Sequence, residues 1–244
     1  MMNNNFTFIL HLPFKGGKEL FMKQNFQLEM EKLIDSLGGE RKTLLLHSCC
    51  APCSSYVLET LCRHFDITVD YYNPNIDTAE EYEMRAKEQC RFACEAALAF
   101  PVKVHVEPYR PSEFYEAVKG LEQIPEGGER CFACYRLRLE QAAKLCREGN
   151  YDYFCTTLSI SPHKNAQKLN EIGLEMAEKY GVKWLFSDFK KKNGFRRSTE
   201  LSDTYDMYRQ DYCGCVFSRK ERLDAQKATA QANSEAKTEC QTTL

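Results

Sequence analysis

The sequence predicts an α/β fold in which a parallel sheet carries helices on both faces. Short runs rich in aliphatic and β-branched residues alternate along the chain with longer segments whose apolar residues recur at helical spacing. Several short runs stop abruptly at turn-forming or polar residues, as strands do where the chain leaves a sheet for a crossover helix. With 244 residues, of which 43% are hydrophobic, the chain can build one sizeable core.

The first half of the chain is predicted to contain three strands and four helices. Thr43–His47 is a short apolar run, Asp66–Tyr72 alternates apolar and polar residues, and Val102–Val106 is mostly β-branched. The helices are predicted from apolar residues at intervals of three and four, or from an acidic first turn, over residues 21–36, 54–64, 78–99 and 113–119.

The second half continues the same alternation. We predict helices over residues 131–147 and 166–180, the latter ended by Gly181, strands over residues 151–157 and 182–186, and a loop over 158–165. From Arg219 onward no large apolar residue occurs between Leu223 and Leu244, a composition typical of disorder. We therefore expect an arm and a helix over residues 1–40, one catalytic α/β domain over 41–220 and a disordered tail over 221–244.

Charge and hydropathy limit the classes of protein to which the chain can belong. The net charge of −2 and the pI of about 6.3 give no global nucleic-acid signature, so any basic surface must be local. No run approaches the length of a membrane span, and the first thirteen residues lack the basic region and cleavage site of a signal peptide. We expect a cytoplasmic protein that does not enter a membrane and whose thiols stay reduced.

Two adjacent cysteines stand where the first predicted strand ends. Neighbouring side chains of a strand point to opposite faces, so Cys49 and Cys50 converge on one object only if the backbone turns there. Pro52 favours such a turn, because it restricts the residue before it and suits the first turn of a helix. The thiols are therefore expected on a strand-loop-helix junction, the place where open α/β sheets bind ligands.

A second pair, Cys131 and Cys134, is spaced as CxxC at the start of a predicted helix, which places both sulfurs on one side of the first turn. The free N–H groups and the dipole at that end are expected to lower the pKa of both thiols. Together with Cys49 and Cys50 the pair supplies four thiolates, which suits a 4Fe-4S cluster or structural zinc. Adjacent cysteines are unusual for zinc, so the pattern favours iron and sulfur.

The third group, Cys213-Gly214-Cys215, is a CxC. A disulfide across so tight a ring is strained, and strained disulfides are the labile ones, so the pair is interpreted as redox-active. The alternative is that both sulfurs are further metal ligands. Cys53, four residues after Cys49, either binds a second metal or lines the site. Among the thirteen cysteines, others are expected to be small core residues.

Three polar segments are candidates for substrate binding. Residues 158–165 place hydroxyls, an imidazole and an ammonium ahead of a helix N-terminus, which suits a phosphate, although ordinary N-capping explains them equally. Lys190–Arg197 interleaves cations with aromatic rings, as RNA-binding surfaces do, whereas a solvated loop is the default. Aromatic residues just before the CxC could stack on a base or lie in the core. The candidates are Ser161, His163, Lys164, Lys191, Arg196, Arg197, Tyr208 and Arg209.

Taken together, these segments resemble a known family, the cobalamin-independent epoxyqueuosine reductases of the QueH type. The matching stretches are LLLHSCCAPC at 44–53, YYNPNI at 71–76, ERCFACYRLRL at 129–139, TTLSISPHKN at 156–165, FKKKNGFRRS at 189–198 and YRQDYCGCVFS at 208–218. They occur in this order, and the combination is highly specific. The N-terminal arm and the tail lie outside the resemblance.

The resemblance implies a Rossmann-like fold of the nucleotide alpha-hydrolase-like kind, with an iron-sulfur site at the C-terminal ends of the strands. It implies reduction of epoxyqueuosine to queuosine at wobble position 34 of tRNA, the last step of queuosine modification. The implied 4Fe-4S ligands are Cys49, Cys50, Cys131 and Cys134, and the implied redox-active pair is Cys213 with Cys215. Part of the family holds an additional mononuclear iron, for which Cys53 is the candidate ligand here.

The chemistry of the residues is consistent with that reading. Removing an epoxide oxygen takes two electrons and two protons, which a cluster and a dithiol can deliver. No Gly-rich dinucleotide fingerprint is present, so an external protein is expected to donate electrons. The alternatives are a tRNA thiolation enzyme (a sulfurtransferase) of similar fold, which usually needs a glycine-rich ATP loop after the first strand, and a zinc-stabilised RNA-binding module.

Overall fold

Four parallel strands form the single sheet of the described region. The computed structural model describes residues 24–242, and side-chain environments over residues 24–231, so the predicted arm over residues 1–20 lies outside the described residues. The strands are β1 (Lys42–His47), β2 (Phe65–Tyr71), β3 (Lys103–Val106) and β4 (Tyr153–Thr156), in the order β3-β2-β1-β4. The predicted parallel α/β class is confirmed.

Helices follow the strands and cover the sheet on both faces. In chain order they are α1 (Phe26–Ser36), α2 (Ala51–Leu61), α3 (Ala79–Glu95), α4 (Pro111–Ala117), α5 (Glu129–Glu148), α6 (Ala166–Tyr180), α7 (Gly194–Thr204) and α8 (Val216–Thr242). Alternate side chains of β1 separate the two layers, since Leu44 and Leu46 pack with α2 and α7 whereas Leu45 packs with α5 and α6.

The strand order creates a crevice beside the end of β1. From β1 the chain runs to β2 and then β3 on one side, whereas β4 pairs with the opposite edge of β1. The connections therefore diverge at the C-terminal ends of β1 and β4, and ligands of open α/β sheets bind at such switch points. His47 and Thr156 are partners in register at this edge, and Cys49 and Thr157 follow them.

Two helices that begin at this edge lack side-chain caps. Cys50 occupies the N-cap position of α2 with an extended backbone, and Gly128 occupies that of α5, and neither position provides a capping side-chain hydrogen bond. The first backbone N–H groups of both helices therefore point toward the edge where the cysteines lie. Such helix ends favour negative charge.

The structure differs from the sequence prediction in three segments. The expected strand over residues 182–186 makes one isolated bridge, between Phe154 and Trp184, and just beyond it both backbone polar groups of Ser187 bond to the Asn170 side chain rather than to β4. The basic run expected as a loop leads into helix α7. Residues 221–244 were expected to be disordered, but residues up to Thr242 continue helix α8, consistent with their many Ala, Gln, Lys and Glu residues.

No helix of the described residues is both long and apolar enough to cross a membrane.

Candidate metal centre

Three thiols meet at the start of α2. The sulfurs of Cys49, Cys50 and Cys53 lie within 4.8 Å of one another. The adjacent pair can converge because β1 has ended at His47, and the extended backbone of Cys50 leads directly into the helix. Cys53 lies one turn along α2, on the same side as the pair. The trio is well placed to receive a soft metal ion.

The thiols of the trio differ in acidity because they bond to one another. Hydrogen bonds from Cys49 and Cys53 lower the pKa of the Cys50 thiol well below its usual value, and the Arg85 guanidinium acts in the same direction. The hydrogen bond to Cys50 raises the pKa of Cys49, and bonds to both partners raise that of Cys53. One thiolate is therefore favoured within the trio.

Four further thiols line a narrow pocket next to this trio. Cys131 and Cys134 in the first turns of α5 face Cys213 and Cys215 of the CxC segment across it. Burial raises the pKa of Cys134 to about 12 and also raises that of Cys131. The expectation that the helix end lowers both pKa values is therefore wrong, because desolvation outweighs the field of the helix. A bound metal ion supplies the positive charge that ionises such thiols.

The CxC segment is held in place by the loop after β2. Gly214 has a φ of +123°, a backbone conformation that side chains rarely adopt, and its carbonyl accepts the N–H of Asp77 at 2.9 Å. Arg85 Nη1 donates to the carbonyl of Cys213 at 3.4 Å, and the Tyr212 hydroxyl donates to Asp77 at 2.9 Å. The backbone between the two cysteines therefore favours glycine.

Lys164 bonds directly to a sulfur of the CxC. Its Nζ lies 2.8 Å from Cys213 Sγ and 3.4 Å from a carboxylate oxygen of Glu126, and its side chain is 7% exposed. Burial by itself lowers the pKa of Lys164, but the charges of Cys213, Tyr135 and Glu126 together raise it well above the usual value. The ammonium is thus a buried, charged donor to Cys213.

Cys215 begins the C-terminal helix. Its sulfur accepts the N–H of Ser218 at 3.4 Å, as a capping side chain does. The same helix is tied to the start of α5, because Arg130 Nη2 lies 2.7 Å from a carboxylate oxygen of Glu221. Helix α8 therefore fixes the position of Cys215 relative to the CxxC pair.

An open cavity of about 630 Å³ lies over the trio, and that volume is in the range of small-ligand sites. It adjoins the narrow pocket, because five residues border both: Glu126, Arg138, Lys164, Cys213 and Ser218. Seven cysteines thus surround two connected spaces at the C-terminal edge of the sheet.

Half of the residues expected to bind substrate line this cavity. Ser161, His163, Lys164 and Arg209 form part of its wall. The other four do not line it. Arg196 and Arg197 pair with Glu200 and Glu59, the Tyr208 hydroxyl bonds to Glu81, and Lys191 is exposed.

Two residues of the site were not predicted from the sequence, Arg138 and His47. Arg138 is fully buried and borders both spaces. Phe195, an aromatic residue of the predicted run Lys190–Arg197, lines the open cavity at the start of α7 and is 40% exposed. His47 lies under the edge, bonded to Thr156 at 2.8 Å, and burial lowers its pKa to about 3. Only Arg138 had a usable signal, since it stands one helical turn after Cys134.

The residues fit an iron-sulfur cluster chemically. The site offers clustered thiols and little competing carboxylate, a donor set typical of soft metals and clusters. In addition, Nη2 of the buried Arg138 has no hydrogen-bond partner among the described residues, as expected if an anionic group belongs beside it.

Several known proteins resemble this chain in sequence over most of its length. A sequence model of the family "Epoxyqueuosine reductase QueH" matches residues 44–221. Relatives of that name include one from Streptococcus pyogenes, 46% identical over 81% of this chain and 79% of its own. Another, from Staphylococcus epidermidis, is 43% identical over 86% of this chain and 91% of its own. Among solved structures, the U34-tRNA thiolase NcsA from Methanococcus maripaludis with its [4Fe-4S] cluster matches with a TM-score of 0.44 and 13% identity, covering 88% of this chain and 75% of that chain. On the family model and these relatives, the chain belongs to the epoxyqueuosine reductase QueH family.

Proposed function

We propose that this protein is an oxidoreductase that reduces epoxyqueuosine to queuosine at wobble position 34 of tRNA, the last step of queuosine modification. The observation that carries the proposal is the convergence of thiols from three segments beside an open, partly cationic cavity. Family membership supports the same reaction. It does not favour the two alternatives, a tRNA thiolation enzyme and a zinc-stabilised RNA-binding module.

We assign the 4Fe-4S cluster to Cys49, Cys50, Cys131 and Cys134. The support is that the first two belong to the trio, that the other two line the adjoining pocket, and that Cys49 packs against the apolar cluster containing Cys131. When bound, such a cluster supplies single electrons. Cys53 remains in the trio and is the ligand we propose for an additional mononuclear iron.

The two thiols of the CxC supply the electrons and protons that the reaction consumes. Conversion of an epoxide to an alkene consumes two electrons and two protons and releases water. Oxidation of the Cys213 and Cys215 thiols to a disulfide releases two electrons and two protons, so the two half-reactions balance. An external electron-donor protein then returns the disulfide to the dithiol.

The wall of the open cavity suits a nucleotide of tRNA. Lys164 and Arg209 bring positive charge, Ser161 and His163 bring hydrogen-bonding groups, and the exposed ring of Phe195 offers a stacking surface for a base. Lys191, Arg196, Arg197 and Tyr208 lie outside the cavity, where we propose that they contact the tRNA backbone around the anticodon. Because its substrate is tRNA and its thiols must stay reduced, we propose that the enzyme works in the cytoplasm.

The test is an anaerobic incubation of epoxyqueuosine-containing tRNA with the protein and a low-potential reductant, followed by mass analysis of the nucleosides. The proposal expects loss of one oxygen from epoxyqueuosine with the wild type and with Cys94→Ala, which alters an exposed cysteine. Cys213→Ala is expected to abolish turnover. Unchanged epoxyqueuosine with an iron-loaded wild type contradicts it.

A further inference from the structure

Arg138 differs from the other buried cations of the protein. In the described part of the chain four cationic side chains are buried, and three of them pair with carboxylates: Arg85 with Glu81, Arg130 with Glu221, and Lys164 with Glu126. Burying a charge is costly unless an opposite charge compensates it, which explains those three pairs. Arg138 therefore needs a compensating group of another kind.

Thiols line the narrow pocket around Arg138. It shares that pocket with Cys131, Cys134, Cys213 and Cys215, whereas the one carboxylate there, that of Glu126, pairs with Lys164. Arg138 also borders both the narrow pocket and the open cavity. It thus lies between the trio and the CxxC pair.

The hydrogen bonds of Arg138 are incomplete. Nε donates to the carbonyl of Cys134 at 3.3 Å and Nη1 makes a long contact of 3.5 Å to Asn73 Oδ1, whereas the buried Nη2 has no partner within residues 24–231. A guanidinium offers five N–H donors in a fixed plane, and a buried donor without a partner costs free energy. Since residues 24–231 provide no acceptor for Nη2, and thiols line the spaces that Arg138 borders, an anionic group bound by those thiols would complete its hydrogen bonds.

We infer that Arg138 is a positioning residue for the iron-sulfur centre. Its Nη2 donates a hydrogen bond to a sulfur anion of the bound cluster, and its charge offsets the net negative charge that four thiolate ligands bring. The inference rests on the proposed function for the assignment of the cluster. It adds a residue that is not itself a ligand but that controls how firmly the cluster is held.

A purely structural role makes the opposite prediction for the metal-free protein. If Arg138 only ties α5 to the loop after β2, its removal weakens the fold whether or not metal is bound. If it serves the cluster, the metal-free protein contains an uncompensated buried charge, and replacing it by an apolar residue of similar length is neutral or stabilising.

The experiment compares Arg138→Met, Arg138→Lys and the control Arg136→Met with the wild type. Arg136 stands two residues earlier on the same helix, is exposed and pairs with Glu175. Each protein is loaded anaerobically with iron and sulfide. Iron release is then titrated with a coloured ferrous chelator, and urea unfolding is measured on the metal-free full chain.

We expect Arg138→Met to release iron at a chelator concentration about 10- to 100-fold lower than the wild type needs, as other partners of metal ligands do when removed. Arg138→Lys is expected to release iron at a chelator concentration between those of Arg138→Met and the wild type. Arg136→Met is expected to release iron at the same concentration as the wild type. Metal-free Arg138→Met is expected to unfold at the same urea concentration as the wild type, or a higher one.

Three results overturn the inference: wild-type iron retention in Arg138→Met, a metal-free variant that unfolds earlier or fails to fold, and a wild type that binds no iron. Neither iron release nor urea unfolding depends on the conversion of epoxyqueuosine. A protein that shows the expected iron release but leaves epoxyqueuosine unchanged refutes the proposed function and not this inference.

Discussion

Replacement of Lys164 by methionine tests how the site controls the CxC pair. Methionine keeps the length and apolar character of the lysine stem but removes the ammonium that donates to Cys213 Sγ at 2.8 Å. The ammonium makes this hydrogen bond to Cys213 in the reduced pair, and the sulfurs of a disulfide, which carry no charge and accept hydrogen bonds weakly, interact with it less. Loss of the ammonium therefore destabilises the reduced state, and the reduction potential becomes more negative.

The size of the shift follows from the contact. A hydrogen bond to a charged group contributes about 1.5 to 3 kcal/mol, and Lys164 is 7% exposed, so solvent screening weakens the interaction little. For a two-electron couple about 30 mV corresponds to about 1.4 kcal/mol. Lys164→Met is therefore expected to lower the potential of the Cys213–Cys215 couple by about 30 to 60 mV.

The assay is an anaerobic titration in dithiol and disulfide buffers of defined potential. Thiols are trapped with a maleimide, and the peptide containing the CxC is quantified by mass spectrometry. Lys168→Met is the control, since Lys168 is a partly exposed cation on the next helix that pairs with Glu171 at 2.7 Å. A midpoint for Lys164→Met equal to the wild type, or more positive, refutes the argument.

Three further predictions concern stability, measured by urea unfolding of the metal-free protein. Burial and the charge of Glu107 raise the pKa of Asp70 from 3.8 to about 7, so the folded state holds a proton that the unfolded state loses. The stability contribution of Asp70 is thus full below about pH 4 and falls by about 4 kcal/mol as the pH rises to about 7. The free energy of unfolding of Asp70→Asn is expected not to show this fall. If the free energies of the variant and the wild type change with pH in parallel, the raised pKa of Asp70 is contradicted. Asn170 makes four bonds, to Ala166, Trp184 and both backbone groups of Ser187, so Asn170→Ala is expected to cost about 3 to 5 kcal/mol. Gln167→Ala on the same helix is its control, and equal effects of the two refute the role of Asn170. Gly214→Ala forces a side chain onto a φ of +123° and is expected to cost about 1 to 3 kcal/mol, whereas an unchanged unfolding midpoint shows that the segment relaxes freely.

Local signals account for most of the fold that the sequence predicted. Strands β1 to β3 were found because each is a short apolar or alternating run that ends in a polar turn, and α6 because apolar spacing ends at Gly181, which adopts the left-handed conformation. The strand expected over residues 182–186 makes one isolated bridge to β4, and directly after it the backbone of Ser187 bonds to the side chain of Asn170 instead of extending the ladder. No local pattern contains that information.

The site was predictable only in part for the same reason. Cysteine spacing indicated which thiols lie together at the strand ends, because adjacent cysteines and CxxC motifs are visible in the sequence itself. The buried partners of those thiols come from other elements. Lys164 reaches Cys213 across 49 positions, and the acidity of Cys134 is set by burial rather than by the end of its helix. Desolvation and long-range contacts of this kind appear only when the chain is folded.

The most direct test of the account is anaerobic iron and sulfide analysis of the wild type beside Cys49→Ala, Cys134→Ala and the exposed control Cys94→Ala. We predict roughly four irons and four sulfides in the wild type and in the control, with loss of both elements when either ligand is removed. A colourless wild type loaded with zinc, or unchanged iron in both ligand variants, contradicts the assignment of the cluster to these cysteines.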